Sequence, residues 1–356
     1  MVEYVLNQLV RLVSIPSVSG QEGELLFYLE EELANLAVDF ERQRVEGSWY
    51  NILVGRTQEP SLIIAAHVDT VAPVDGIPPK PLVEDGFIKG LGVVDDKCGV
   101  ATMLGLCRAF GKELADKGVL LAFLVDEEKS GLGSETLADS VKAGGAIVIE
   151  PTSFDLCVKE AGSVEFFVDV RGKAAHGSCV EEGENAIHRA LEVIKGFDSL
   201  SFIGKEDRET GTSCYTVFKI AGGDDELRIP DRCTFKVDFR LVPDEDVEAV
   251  IKEVGDYLRG KDAGFGVLDV SPGFVVPEDA PVVSLLKSAF EEASGRKPVV
   301  SGMKSWTDAQ NFVARGIPAV VFGPGELSVC HTPYERIRIS DVELFVKTME
   351  KLITLL

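Results

Sequence analysis

SLIIAAHVDT, residues 61–70, decides the fold. An apolar run, Leu62 to Ala66, leads into His67, Val68 and Asp69. A short apolar, β-branched run that stops at a polar pair reads as a buried strand. Residues two apart on a strand share a face, so His67 and Asp69 start on one side, at the strand's C-terminal end. Open α/β sheets bind their ligands at that edge. Imidazole is the commonest metal ligand, and a ligating histidine usually gives its other N–H to a carboxylate or carbonyl. By itself the pair supports three readings: a ligand with its orienting group, two ligands, or a capped core histidine beside a turn aspartate. Taken alone, the last is favoured.

The same pattern recurs along the chain. VLLAFLVDEE, residues 119–128, is an apolar run closing on Asp126, Glu127 and Glu128, and AIVIE, residues 146–150, closes on Glu150 before Pro151. GLGVVDDKCGVATML, residues 90–104, opens a helix with apolar Val100, Met103, Leu104, Leu106, Cys107 and Phe110, and sets Asp95 and Asp96 at or just before its start. For Asp96 an N-cap is the favoured reading. The Gly-x-Gly here lacks both the third glycine of a dinucleotide loop and the Gly-Lys-Ser/Thr of a P-loop, so neither is supported. Three apolar strands ending in acids or His-x-Asp, with the aspartate pair, look like one site at the carboxyl edge of a sheet. Carboxylates gathered in a cleft repel, and a cation is the simplest compensation.

The chain has 356 residues, which favours two domains. Its 36 basic against 59 acidic residues give a formal charge of −23, which disfavours nucleic acid and anionic membranes as partners. The longest clean apolar run, Val119 to Val125, is too short to span a bilayer, and MVEYVLNQLVRL has no cationic n-region, so no signal peptide is expected. Seven cysteines without a Cys-x-x-Cys pair fit a reducing cytoplasm and argue against thiolate zinc sites. Helices are expected over residues 2–14, ended by Pro16, and roughly 21–36 with Ser19 as the cap. Strands are expected over 51–55 and 61–66, and a long functional loop over 72–90. From about residue 155 alternating runs appear at 163–170, 213–220 and 233–241, with helical patterns at 184–196 and 244–258. This reads as an α+β unit inserted into an α/β domain, with SPGFVVP near 272–278 as the return linker. A helix at 281–294, the helix TDAQNFVARG, the strand IPAVVFG and a helix at 341–355 then resume the α/β texture. Of the four histidines, His188 lies mid-helix as a structural or surface residue, while His176, in the small-residue turn GKAAHGS, is a functional candidate. The fourth, His331, lies in GELSVCHTPYERI.

Nearly end to end, these blocks resemble, in order and spacing, the co-catalytic zinc metallopeptidase family of acetylornithine deacetylase, succinyl-diaminopimelate desuccinylase, carboxypeptidase G and aminoacylase. The resemblance implies a zinc-exopeptidase-like α/β catalytic domain, residues 1–154 and 275–356. It also implies an inserted ferredoxin-like α+β lid and dimerisation domain, residues 155–274. It implies two divalent metal ions per chain, zinc first, with cobalt or manganese as substitutes. His67 would be a metal ligand with Asp69 orienting it, Asp95 the carboxylate bridging both ions, Glu150 the terminal carboxylate on the first ion, and Glu128 and His331 ligands of the second. Glu127 would be the general base. Glutamate at 150 leans toward the deacylase branch. His176 resembles the histidine that holds the scissile carbonyl from the partner subunit of a homodimer, and Arg240 the arginine that binds a substrate carboxylate. Asn185 is given a structural role. The chain departs from the pattern at Leu91, where an arginine is frequent, and at Leu227, where an asparagine often helps bind the substrate carbonyl.

The implied activity is metal-dependent amide hydrolysis of a small N-acyl amino acid such as N-acetylornithine, in the cytoplasm. A di- or tripeptidase, a carboxypeptidase or a succinyl-diaminopimelate desuccinylase is the alternative within the family. From another class, a catalytically inactive binding relative would need a lost ligand or base, and none is lost. A serine hydrolase is disfavoured because the chain has no Gly-x-Ser-x-Gly.

Overall fold

The structure, a computed structural model, describes residues 1–47, 49–78 and 80–356. The chain forms two compact units. The first comprises Met1–Val158, Val276–Met303 and Thr307–Leu356, and the second Lys159–Val275 with Lys304–Trp306.

The first unit is α/β. Its sheet runs in the order Glu41–Arg44, Tyr50–Gly55, Val119–Leu124, Leu62–His67, Ala146–Val148, Ala319–Val321, Leu156–Glu160. The Leu62–His67 strand is buried along its whole length between two parallel neighbours. That burial on both faces explains its unbroken apolar run. His67 lies beside Leu124, and Ala65 beside Val148. The three parallel strands therefore finish at one edge, and the residues just past their ends collect there. The Lys97–Phe110 helix packs on the Leu62–His67 strand and on the Val2–Val13 helix, which buries Val5, Leu9 and Leu12 on one stripe. Ile339–Leu355 packs against Pro281–Ser294 and Val2–Val13.

The expected α/β class and most elements appear, and two local expectations are corrected. The second helix, Gly23–Asn35, has Glu22 at its N-cap and no side-chain cap bond, so Ser19 is not its cap. The Ser19 hydroxyl bonds the Asp69 carboxylate instead. The 72–90 segment is not loop throughout. Residue 79 lies outside the described residues, but Leu82–Glu84 and Phe87–Lys89 form a hairpin whose second strand also pairs with Arg336–Arg338. Asp85 (φ 50°) and Gly86 (φ 78°) make its two-residue turn, which needs positive φ at both positions and favours an Asp-Gly pair.

The second unit is α+β. Its antiparallel sheet has the order Cys214–Gly222, Arg232–Leu241, Gly162–Arg171, Ala263–Ser271. The helices Ala186–Gly196 and Val247–Gly260 enclose a core with Phe166, Phe197, Phe202, Phe235 and Phe239. The Ala263–Ser271 strand went unread in the sequence, since two glycines and a bulge between Val267 and Asp269 break its alternation. Among the described residues no helix is long and apolar enough to cross a membrane.

Candidate metal centre

His67 closes its strand with 1 % of its surface exposed. Its Nδ1 lies 3.0 Å from the Asp69 carbonyl oxygen and 3.6 Å from Asp69 Oδ1. A carbonyl only accepts, so Nδ1 carries the proton. In a neutral ring Nε2 is then left with its lone pair, and this atom faces Asp95 Oδ1 at 2.9 Å and Glu150 Oε1 at 3.9 Å. A lone pair aimed at carboxylates is repulsive unless the ring is protonated or a cation lies between them. The other oxygen of Asp95 stands 3.3 Å from His331 Nε2, which is 2.9 Å from Glu128 Oε1. One carboxylate thus reaches a different imidazole with each oxygen.

Among the described residues, three groups of side chains are close enough to hold a metal ion: His67, Asp95 and Glu150; Asp95, Glu128 and His331; and His67, Glu127 and Glu128. The first two share Asp95. Glu150 Oε1 is buried and has no hydrogen-bond partner among the described residues. An orphaned buried carboxylate oxygen and two Nε2 atoms facing carboxylates are the donor set that a pair of divalent cations would satisfy, so the residues fit such a group.

The electrostatics express the same crowding. Burial pushes Glu127 well above the usual carboxylate range, opposed by His67 and reinforced by Asp308 and Asp95. Burial, with Asp95 and Glu127 nearby, does the same to Glu150. His331 is raised to about 10 by its bonds to Asp95 and Glu128. His67 is raised although its burial opposes the charge, because Glu127, Asp69 and Asp95 surround it. A bound cation inverts these shifts by replacing protons as the compensating charge.

The turns that carry these groups are held in unusual conformations. Asp126 (φ 67°) and His331 (φ 61°) are both left-handed, a region that non-glycine residues enter at a cost. Asp96 caps the Lys97–Phe110 helix by accepting from the Gly99 amide, as expected. Four supporting residues were not singled out in the sequence for the roles they have here. Glu335, 1 % exposed, accepts from the Gly92 amide with Oε2 and the Val94 amide with Oε1, each at 3.0 Å, and so fixes the segment leading to Asp95. Lys97 donates to the Leu12 and Ile15 carbonyls at the end of the first helix. Buried Asp308 bonds Ser134, and Asn311 from the same helical turn bonds Ser134 and the Gly131 carbonyl. The one signal for Glu335 was its place four residues after His331 in CHTPYE.

His176 and Arg240 belong to the second unit. His176 is exposed, and its Nδ1 accepts from the Ser178 amide at 3.2 Å, which leaves Nε2 to carry the proton of the neutral ring. Arg240, 44 % exposed at its side chain, donates from Nε to Asp238 at 2.7 Å. Asn185 is the N-cap of Ala186–Gly196, His188 is exposed on that helix, and Leu227 is 85 % exposed.

The model of peptidase family M20/M25/M40 matches residues 63–355. The chain belongs to that family. It is therefore an amide hydrolase of the M20 class. The succinyl-diaminopimelate desuccinylase of Corynebacterium glutamicum is 29 % identical over 95 % of this chain and 93 % of its own length. The enzyme of the same name from Sulfurovum is 25 % identical over 98 % of each. Among solved structures, a tripeptidase from Staphylococcus aureus superposes with a TM-score of 0.83 over 100 % of this chain and 98 % of that one, at 24 % identity, a likeness of fold.

Proposed function

We propose that this M20 protein hydrolyses the amide of a small N-acyl amino acid bearing a free carboxylate, with two divalent ions bound around Asp95. The observation that carries this reading is the Asp95 carboxylate set between His67 and His331, 2.9 and 3.3 Å from their Nε2 atoms. His67 and Glu150 would complete one ion's ligands with Asp95, and Glu128 and His331 the other's. Such ions supply Lewis acidity toward the amide carbonyl and lower the pKa of a water toward neutrality. Mixed imidazole and carboxylate donors suit zinc, with cobalt or manganese as substitutes.

Glu127 stays off the ions and handles the proton. It takes one from the attacking water as the C–O bond forms, then delivers it to the amine nitrogen as the C–N bond breaks, giving a carboxylate and a free amine. The Nε2–H of His176 would donate to the oxygen of the tetrahedral intermediate, reaching across in a homodimer built through the second unit. Arg240 would bind the substrate carboxylate. N-acetylornithine, or a similar N-acyl amino acid, is the first substrate to test, and a dipeptide the second, since the sequence blocks do not separate them. The full-length relatives named succinyl-diaminopimelate desuccinylase favour N-succinyl-diaminopimelate as the acyl amino acid to test beside N-acetylornithine.

The test is amine release from both compounds and from a few dipeptides, using chelator-stripped protein with and without zinc or cobalt. Metal-restored turnover of an acyl amino acid is expected. Turnover confined to dipeptides would replace the deacylase reading by a peptidase, and failure to bind any metal would overturn the dinuclear reading itself.

A further inference from the structure

The carboxylate of Asp69 is fully buried, and its hydrogen bonds come from two other segments of the chain. Oδ2 accepts from the Ser19 hydroxyl at 2.7 Å and from the Glu128 amide at 3.0 Å, and Oδ1 accepts from the Glu127 amide at 3.1 Å. Toward His67 it is the Asp69 carbonyl that makes the short contact, while Oδ1 stays 3.6 Å from the ring. The Asp69 side chain is thus spent on the backbone of the two adjacent glutamates.

We propose that Ser19 is a positioning residue for hydrolysis: through Asp69 it fixes the backbone, and so the aim, of Glu127 and Glu128. This rests on the reading in which Glu127 moves the proton and Glu128 holds an ion. The terminal torsion of an aspartate is broad, and the two glutamate amides, one on each oxygen, tie the carboxylate only to the turn it would hold. The Ser19 hydroxyl ties it to a separate segment of the chain, and a buried hydrogen bond to an ionised oxygen is a strong one. Ser19 is well placed to act this way. Its amide donates to the Thr70 carbonyl, and the Thr70 amide donates to the Ser17 carbonyl, so Ser19 is stitched to the residue that follows Asp69. Its hydroxyl has no duty as a helix cap, since Glu22 occupies that place. On its far side the glutamate turn is anchored by the Ser130 and Gly131 amides, which both donate to the Asp126 carbonyl. Glu127 and Glu128 therefore lie between two fixed points, one of which depends on Ser19.

Ser19→Ala and Ser19→Thr, with Glu127→Gln as the reference, test this in the full chain. Three quantities are read: kcat and KM on the substrate found active, metal content, and hydrogen exchange of the Glu127 and Glu128 amides by mass spectrometry. Loss of an outer partner of a metal site costs about tenfold or more, so Ser19→Ala should lower kcat about tenfold with KM nearly unchanged. It should also speed exchange at those two amides, and Ser19→Thr, which keeps the hydroxyl, should restore both. Unchanged exchange at Glu127 and Glu128, or reduced thermal stability with kcat intact, would overturn the proposal and leave Ser19 a stitch for the N-terminal segment. If the unmutated protein cleaves no amide, or Glu127→Gln is fully active, the functional reading fails, while the exchange rates still decide whether Ser19 holds the turn.

Discussion

At the scale of single residues, the proposed mechanism gives two adjacent glutamates different tasks. Both have their amides on Asp69, but only Glu128 approaches His331, at 2.9 Å. Glu127→Gln removes the proposed base and keeps the size and the amide contact. It should retain both ions and lose at least about a hundredfold in turnover, the scale of general-base catalysis. Glu128→Ala should lower the metal content and not merely the rate. Metal analysis beside initial rates separates the two, and near-normal turnover in Glu127→Gln would remove it from the proton pathway. Glu335 shows what a single residue hides in a sequence. The Glu335 carboxylate takes two backbone amides of the block that leads to Asp95. A carboxylate that binds backbone needs no side-chain partner, so no pairing pattern announces it.

Among the elements, periodicity carried the reading wherever burial was one-sided or complete. The Leu62–His67 and Val119–Leu124 strands and the helices Val2–Val13 and Pro281–Ser294 follow their apolar patterns closely. Small hairpins escaped it, because their strands bury little. One of them has a measurable consequence in the second unit. The hairpin Glu206–Asp207 with Gly211–Thr212 presents Asp207 to Lys159 at 2.7 Å. Burial alone would raise this acid, but the Lys159 ammonium and the Thr210 and Glu209 amides outweigh it and hold Asp207 at about 2, against the usual 3.8. A carboxyl lowered on folding stabilises the folded chain while ionised. That contribution is complete above about pH 4 and drains away as the pH falls toward about 2. Asp207→Asn should therefore lower the thermal midpoint at pH 7, and the gap to the unmutated protein should narrow steadily below pH 4. A gap independent of pH would assign the effect to packing alone.

For the whole molecule, the formal charge of −23 and the buried acids at one sheet edge make the folded state hungry for cations. Ions that bind only the folded chain add stability by mass action, about 2.7 kcal/mol at a concentration a hundred times Kd. Zinc or cobalt added to chelator-stripped protein should raise the midpoint of thermal unfolding. Asp95→Ala, which removes the carboxylate shared by both groups, should abolish most of that rise. An equal rise in Asp95→Ala, followed by differential scanning calorimetry, would place the ions elsewhere. The family match over residues 63–355 and the full-length relatives cover both compact units, so the pairing of an α/β unit with an α+β unit belongs to the family and not to this chain alone.

The sequence by itself determined three buried strands and the residues waiting at their ends. Buried strands and amphipathic helices leave a local period, and a motif such as His-x-Asp sits within a few residues. Only the tertiary structure decided what those ends do for one another. Asp95 meets His67 across 28 positions, Glu128 meets His331 across 203, and Ser19 meets Asp69 across 50. Contacts at such separations depend on how strands and turns are brought together. No local pattern foretells that a serine placed like a helix cap will spend its hydroxyl on a carboxylate beside the candidate metal centre.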